Sequence, residues 1–247
     1  MAKARGHSWQ FKTRFRRHAF GWKSQPAIAR VQEAVSEITL VARVDPILGA
    51  EGAVVLRGFA LPAEAALLDG LQRVVAQAPL RRMVTPGGFT MSVAMTNCGA
   101  LGWVSDRRGY RYAPRDPDSA RPWPGMPQAF EWLAVAAAAQ AGFPGFAPDA
   151  CLVNRYEPGA RLTLHQDRNE RDFGAPIVSV SLGLPAVFLF GGLERSERPR
   201  RIPLAHGDVM VCGGPARLRH HGVMPVKAGH HPLLGDCRVN LTFRRAA

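Results

Sequence analysis

From residue 151 onward the chain reads as a run of short strands. The candidates are 151–156, 161–165, 176–183, 186–190, 201–204, 208–212, 217–223 and 236–244, with Gly or Pro in nearly every gap. No helical segments alternate with them, which argues against a parallel α/β sheet. Many short strands separated by tight turns build a sandwich or jelly roll. In such a fold every second side chain of an inner strand faces the space between the sheets. Side chains two apart on one strand therefore share a face and can act together.

The preceding part is organised differently. Ala53-Val54-Val55-Leu56-Arg57-Gly58-Phe59 reads as a strand. Pro62 opens a helix to about Gln77, with Ala65, Leu68, Leu71, Val74 and Val75 on one face. Pro86-Gly87-Gly88 is a turn, and a second helix runs from about Pro127 to Ala141 and stops at Gly142. Between them, residues 99–127 are rich in Gly, Pro, Arg and aromatics, among them Trp103, Tyr110, Tyr112 and Trp123. A stretch that long without evident structure suggests a lid or binding loop.

Residues 1–50 stand apart as a basic extension. An aromatic, basic stretch from Trp9 to Trp22 precedes a helical spacing of Ile28, Val31, Val35 and Ile38. The segment is either a nucleic-acid arm or an appendage, and basic termini are often merely solvated. The expected division is 1–50 as extension and 51–247 as the main unit, with a strand–helix–lid part over 51–145 and the β core over 146–247.

The first chemical signal is His165-Gln166-Asp167. On a strand, residues two apart face the same side, so the imidazole and the carboxylate can converge on one metal. A third ligand must come from elsewhere, and His206, His220, His221, His230 and His231 all compete for the place. His220 and His221 are neighbours, so only one of them can face a metal from a strand. Two His and one carboxylate leave three coordination positions open, which suits Fe(II) taking a co-substrate and O₂ together. The second signal is the last strand, where Arg238, Asn240, Thr242 and Arg244 share one face. If that face points inward it needs an anion, and Arg binds carboxylates bidentately. A solvated edge strand is the alternative.

Charge narrows the partner. The net charge is +13 and the pI about 10.9, a balance that favours polyanions, nucleic acid first. Residues 1–50 hold nine Lys/Arg against three acids, so head and body share the excess. Cys98, Cys151, Cys212 and Cys237 form no C-x-x-C pair and read as reduced, mostly buried thiols of a cytoplasmic protein. No apolar run approaches the roughly 18 residues of a membrane span.

These residues resemble the AlkB family of Fe(II)/2-oxoglutarate-dependent nucleic-acid dealkylases. The resemblance runs from about Gly52 to Arg245. It is carried by Met83–Gly88, Met91–Gly99, Asn154-Arg155-Tyr156, Pro158-Gly159-Ala160, His165-Gln166-Asp167, Pro176–Pro185, His206-Gly207-Asp208 and Asp236–Arg244. It implies a mainly β fold with flanking helices: a double-stranded β-helix (jelly roll) with an N-terminal nucleotide-recognition lid. His221, before Gly222, matches the third iron ligand beside His165 and Asp167. Arg238 matches the residue gripping a carboxylate of 2-oxoglutarate, and Asn154, Tyr156, Asn240 and Arg244 match its other contacts. Trp103 matches an aromatic wall of the base pocket. Tyr110, Arg111 and Tyr112 match lid contacts to the lesion strand, and Arg195 a further substrate contact. The implied reaction is oxidative removal of N-alkyl groups from bases such as 1-methyladenine and 3-methylcytosine in DNA, releasing aldehyde, succinate and CO₂. The implied partner of this monomer is single-stranded DNA, with duplex DNA or RNA as alternatives; the same chemistry on a protein side chain, or an idle metal fold that only binds nucleic acid, are the rival readings. Two positions depart from the family pattern. Asn169 stands where an acid usually contacts the base, with Glu170 beside it, and Cys212 stands where a large residue is usual.

Overall fold

In the computed structural model residues 43–47 and 49–247 are described. The basic aromatic stretch and the helical spacing from Ile28 to Ile38 lie outside them. Two β-sheets face each other. The larger has eight strands: β1 (Arg43–Pro46), β2 (Ala53–Arg57), β3 (Arg81–Val84), β4 (Thr90–Gly99), β7 (Ala150–Tyr156), β9 (Ile177–Gly183), β12 (Val209–Cys212) and β14 (Arg238–Arg244), in the order β1-β2-β12-β9-β14-β7-β4-β3. The smaller has four, in the order β11-β10-β13-β8, from β8 (Leu162–His165), β10 (Ala186–Phe190), β11 (Arg200–Leu204) and β13 (His221–Val223). A separate hairpin, β5 (Gly102–Asp106) with β6 (Gly109–Ala113), stands over one end. This is a jelly roll, one of the two architectures the strand pattern allows, with the flanking helices that the family resemblance implies.

Among the described residues, two α-helices cover the outer face of the large sheet. Helix α1 (Glu64–Gln77) buries Leu67, Leu71 and Val74; α2 (Gln128–Gln140) buries Phe130, Leu133, Ala134, Ala137 and Ala138. They meet closely at Gly70, where a Cβ would stand 3.0 Å from the Phe130 ring and 3.1 Å from Pro127. Beneath them lie Val178, Val180, Leu182, Val209, Val211, Val239, Leu241 and Phe243. By strand alternation the intervening residues of β9, β12 and β14 face the other sheet. There Met95, Leu152, Tyr156, Leu184 and Val223 pack at one end and Val55, Phe190, Ile202, Leu204 and Met210 at the other. The polar residues between these two apolar clusters form the site.

Three sequence expectations are corrected. The stretch 99–127 contains a hairpin, β5–β6, whose tight turn Asp106-Arg107-Arg108-Gly109 hides it among Gly and Arg; Gly109 takes φ +116° there. The strand expected over 217–223 shrinks to His221–Val223, preceded by a 3-10 turn at Gly214–Ala216. Its arginines serve as braces, Arg217 donating to the carbonyls of Ala175 and Asp167 and Arg219 to those of Gly191 and Gly49. Finally, the sheet begins inside the segment set apart as an extension: Arg43–Pro46 pairs with β2, Asp45 bonds Arg57, and Ala50 is buried.

Candidate metal centre and its cavity

His165 ends β8 and His221 begins β13, and the two are directly opposed across the antiparallel pair. Gly222 makes that approach possible, since a Cβ there would sit 2.7 Å from the Leu162 carbonyl oxygen. The pairing shifts register just after His221, the kind of bulge that re-aims a side chain beside an active site. The imidazole centroids lie 4.5 Å apart. Each ring is oriented from behind. His165 Nδ1 lies 2.8 Å from the Thr163 carbonyl and His221 Nδ1 3.1 Å from that of Arg219, so each Nδ1–H donates to the backbone and each Nε2 is left free. Those Nε2 atoms stand 3.8 and 3.5 Å from the Asp167 carboxylate oxygens. Ligand atoms of His165, Asp167 and His221 all fall within 4.8 Å of one another, and among the described residues no other His/Cys/Asp/Glu group does this.

The electrostatics suit a cation. Burial would raise the Asp167 carboxyl, but the Arg244 guanidinium at 2.6 Å and the two imidazoles hold it well below the usual carboxylate range. Burial, with His221 beside it, lowers His165 to about 4, although 38 % of its side chain opens onto the cavity. At neutral pH the site thus offers a neutral His165 imidazole and an ionised Asp167 carboxylate, protonation states that metal binding requires. The other candidates for the third place lie elsewhere. His206 Nδ1 accepts from the Gly183 amide and its Nε2 meets Glu64, while His230 pairs with Asp236. His231 stacks on His206. His220 shares the cavity wall, yet its Nδ1 is buried without a partner.

The period-two face of β14 does point inward. Arg238, Asn240, Thr242 and Arg244 line a cavity of about 1040 Å³ together with the metal-site residues, Asn154 and Tyr156. Arg238 is 1 % exposed. Its Nη2 donates to Ser181 Oγ at 2.9 Å and its Cζ lies 5.1 Å from the Tyr156 ring centroid, but Nε and Nη1 have no partner. Burial alone depresses its basicity, and among the described residues no acid faces it. A buried guanidinium with two idle nitrogens can receive a carboxylate. Asn240 Nδ2 donates to Ser179 Oγ and the Val180 carbonyl, and its Oδ1 accepts from Asn154 Nδ2 and Thr242 Oγ1. Asn154 Oδ1 remains buried and unpaired.

The chain matches the family described as "2OG-Fe(II) oxygenase superfamily" over residues 52–244. It belongs to that superfamily. This oxygenase is 60 % identical over 197 residues to the alpha-ketoglutarate-dependent dioxygenase AlkB of Escherichia coli, covering 80 % of this chain and 91 % of that protein. It is 47 % identical over 189 residues to the AlkB homolog of Caulobacter vibrioides, covering 75 % and 83 %. The solved structure of OsALKBH1 superposes with a TM-score of 0.71 at 28 % identity, covering 82 % of this chain and all of that one. Its cofactors are those of the family, Fe(II) and 2-oxoglutarate, and the residues present fit both: an open His/His/Asp donor set and an unsatisfied buried arginine.

The mouth of the oxygenase's cavity is aromatic and basic. Trp103 and Tyr110 stack at 5.5 Å and 14°, and both line the cavity with Asn169 and Arg195. Trp103 Nε1–H donates to Asn169 Oδ1 at 3.3 Å. Phe188 lies face to face with His221 at 5.7 Å. Two expected substrate contacts are placed differently. Arg111 turns across its own hairpin and grips both oxygens of Asp106, at 2.9 and 2.7 Å. The Tyr112 hydroxyl donates to Glu170 at 2.5 Å. Neither residue lines the cavity. Sequence reasoning missed Ser181, Arg217 and Phe188. Ser179 and Ser181 did carry a signal, as two hydroxyls at period two inside an apolar strand. Arg217, in a Gly- and Pro-rich stretch, carried none.

Proposed function

We propose that this oxygenase removes N-alkyl groups from damaged nucleobases of the 1-methyladenine and 3-methylcytosine type, with single-stranded DNA as its main substrate. The observation that carries the reading is the meeting of three features in one cavity: a two-His, one-carboxylate site, an arginine lacking a counter-anion, and an aromatic, cationic mouth. His165, Asp167 and His221 would hold Fe(II), and Arg238 would take a carboxylate of 2-oxoglutarate. When bound, the metal and co-substrate supply an O₂-derived oxidant, and 2-oxoglutarate leaves as succinate and CO₂. The protein's own part is orientation and exclusion of water. Trp103 forms a wall for a base taken out of its stack, Tyr110 backs Trp103, and Arg195 meets the phosphate backbone. The alkyl carbon, held toward the metal face, is oxidised and leaves as an aldehyde.

E. coli AlkB and the Caulobacter homolog, named as dioxygenases, support the enzymatic part of this reading. The +13 charge supports a polyanionic substrate. The test is succinate and aldehyde release with methylated single-stranded DNA, duplex DNA and RNA side by side. Fastest turnover on single strands is expected. 2-Oxoglutarate consumption unaffected by any methylated nucleic acid would rule out the substrate class, and preference for RNA would replace DNA by RNA.

A further inference from the structure

Four charged side chains are packed behind the metal site. Arg244 and Arg217 have 7 % and 2 % of their side chains exposed, Asp167 and Glu170 12 % and 2 %. Glu170 is the hub. Its Oε1 accepts the Tyr112 hydroxyl at 2.5 Å and lies 3.2 Å from Arg244 Nε. Its Oε2 stands 3.2 Å from Arg217 Nη2. Both arginines also reach Asp167: Arg244 holds carboxylate Oδ2 at 2.6 Å, and Arg217 donates to the Asp167 backbone carbonyl at 2.8 Å. Glu170 thus does not line the cavity itself, yet it pairs with both arginines that hold Asp167. It is also the acceptor that ties strand β6 of the overhanging hairpin to this cluster.

We propose that Glu170 is a positioning residue that aims the Asp167 carboxylate at the metal and links the β5–β6 hairpin to that aim. Two physical consequences follow from the geometry. First, Glu170 neutralises part of the charge on Arg244 and Arg217. Without it, two buried guanidinium groups face a single carboxylate, so Asp167 is drawn to Arg244 and a divalent cation meets an unbalanced positive field. Second, the path Tyr112–Glu170–Arg244–Asp167 is continuous, each step 3.2 Å or shorter. Binding at Asp167 and order in β6 must then affect each other equally, since coupling between two sites is reciprocal. The same residue explains why Trp103 and Tyr110 are held over the cavity. Tyr112 is directly opposite Trp103 across the hairpin, so anchoring Tyr112 anchors the aromatic wall.

The proposal rests on the reading of His165, Asp167 and His221 as a metal site, but not on the identity of the nucleic acid. Its test uses Mn(II), which binds without turnover, on the full-length protein. Glu170→Gln is expected to weaken Mn(II) about ten- to a hundredfold, the usual effect of removing a group behind a ligand. Tyr112→Phe keeps the charges and tests the link. In the parent, Mn(II) is expected to slow amide hydrogen exchange across Gly102–Ala113; in Tyr112→Phe that slowing should fall at least threefold. Unchanged Mn(II) affinity in a folded Glu170→Gln protein would overturn the aiming role. An equal response of the hairpin to Mn(II) in parent and Tyr112→Phe would overturn the link. Absence of Mn(II) binding by the parent would instead defeat the metal-site reading, a separate result.

Discussion

Replacing Arg238 by Met should separate folding from co-substrate binding, with opposite signs. In the ligand-free protein Arg238 is a fully buried cation whose Nε and Nη1 donate to nothing. Each unsatisfied buried donor costs about 1–3 kcal/mol. Its removal forfeits the 2.9 Å bond to Ser181 and the 5.1 Å approach to the Tyr156 ring, contributions of about 1 kcal/mol each. Met fills similar volume without charge, so the ligand-free variant should be as stable as the parent or more stable. Binding of 2-oxoglutarate should move the other way. Breaking a buried carboxylate–guanidinium pair costs about 3–5 kcal/mol. At about 1.4 kcal/mol per factor of ten, the Kd rises by roughly two to four orders of magnitude. The assay is calorimetric titration of 2-oxoglutarate into the Mn(II)-loaded protein, paired with thermal unfolding of the metal-free form. Mn(II) affinity should change little, since Arg238 makes no contact with His165, Asp167 or His221. Two results would refute the reasoning: 2-oxoglutarate binding within threefold of the parent, or a large loss of stability in the ligand-free variant. The first would assign the carboxylate to another group; the second would make Arg238 a structural residue.

Four further outcomes are expected. His165→Ala, Asp167→Ala and His221→Ala should each abolish Mn(II) binding and turnover, whereas His220→Ala, which removes a ring with an unpaired buried Nδ1, should largely retain both. Asn169→Asp should shift the ratio of kcat/KM between cationic and neutral alkylated bases about tenfold toward the cationic ones, because a charged acceptor strengthens the hydrogen bond by about 1–2 kcal/mol; in the parent the indole N–H occupies the Asn169 oxygen, so the amide N–H₂ is what remains for a base. Removal of residues 1–42 should leave turnover on a short oligonucleotide intact, while removal through residue 50 strips the paired strand Arg43–Pro46 and buried Ala50 and should lower Tm, at about 2–4 °C per kcal/mol for a chain of this size. The metal-free protein should lose stability as pH falls from roughly 6.5 toward 4: burial and His221 depress His165 to about 4, so in that window the unfolded chain binds the proton that the folded one refuses; denaturant melts at pH 7 and pH 5 would contradict this if their midpoints coincided.

The parts of this oxygenase that were legible in the amino-acid order are those in which one strand is enough to decide the geometry. His165 and Asp167 are two apart, and period-two alternation alone sends both to one side. The same rule puts Arg238, Asn240, Thr242 and Arg244 on one face of the last strand and leaves Val239, Leu241 and Phe243 for the helices. Turn residues and apolar runs likewise marked most strands of the two sheets, because backbone conformation at Gly and Pro is a local property. What local order could not decide is which way a shared face looks and what meets it from afar. The choice of His221 depends on its pairing with His165 across β8 and β13, 56 positions away; from the residues alone, five histidines competed, and only the family resemblance separated them. The hairpin β5–β6 was hidden because its strands are short and carry Arg and Gly, and its order comes from the Arg111–Asp106 grip and from Tyr112 on Glu170. Glu170 itself is the sharpest case. It lies one residue from Asn169 in a stretch without regular structure, where no periodicity assigns a face. Its burial is decided by Arg217, Arg244 and Tyr112, from three separate parts of the chain, because a carboxylate can leave water only where cations and donors have already been gathered to receive it.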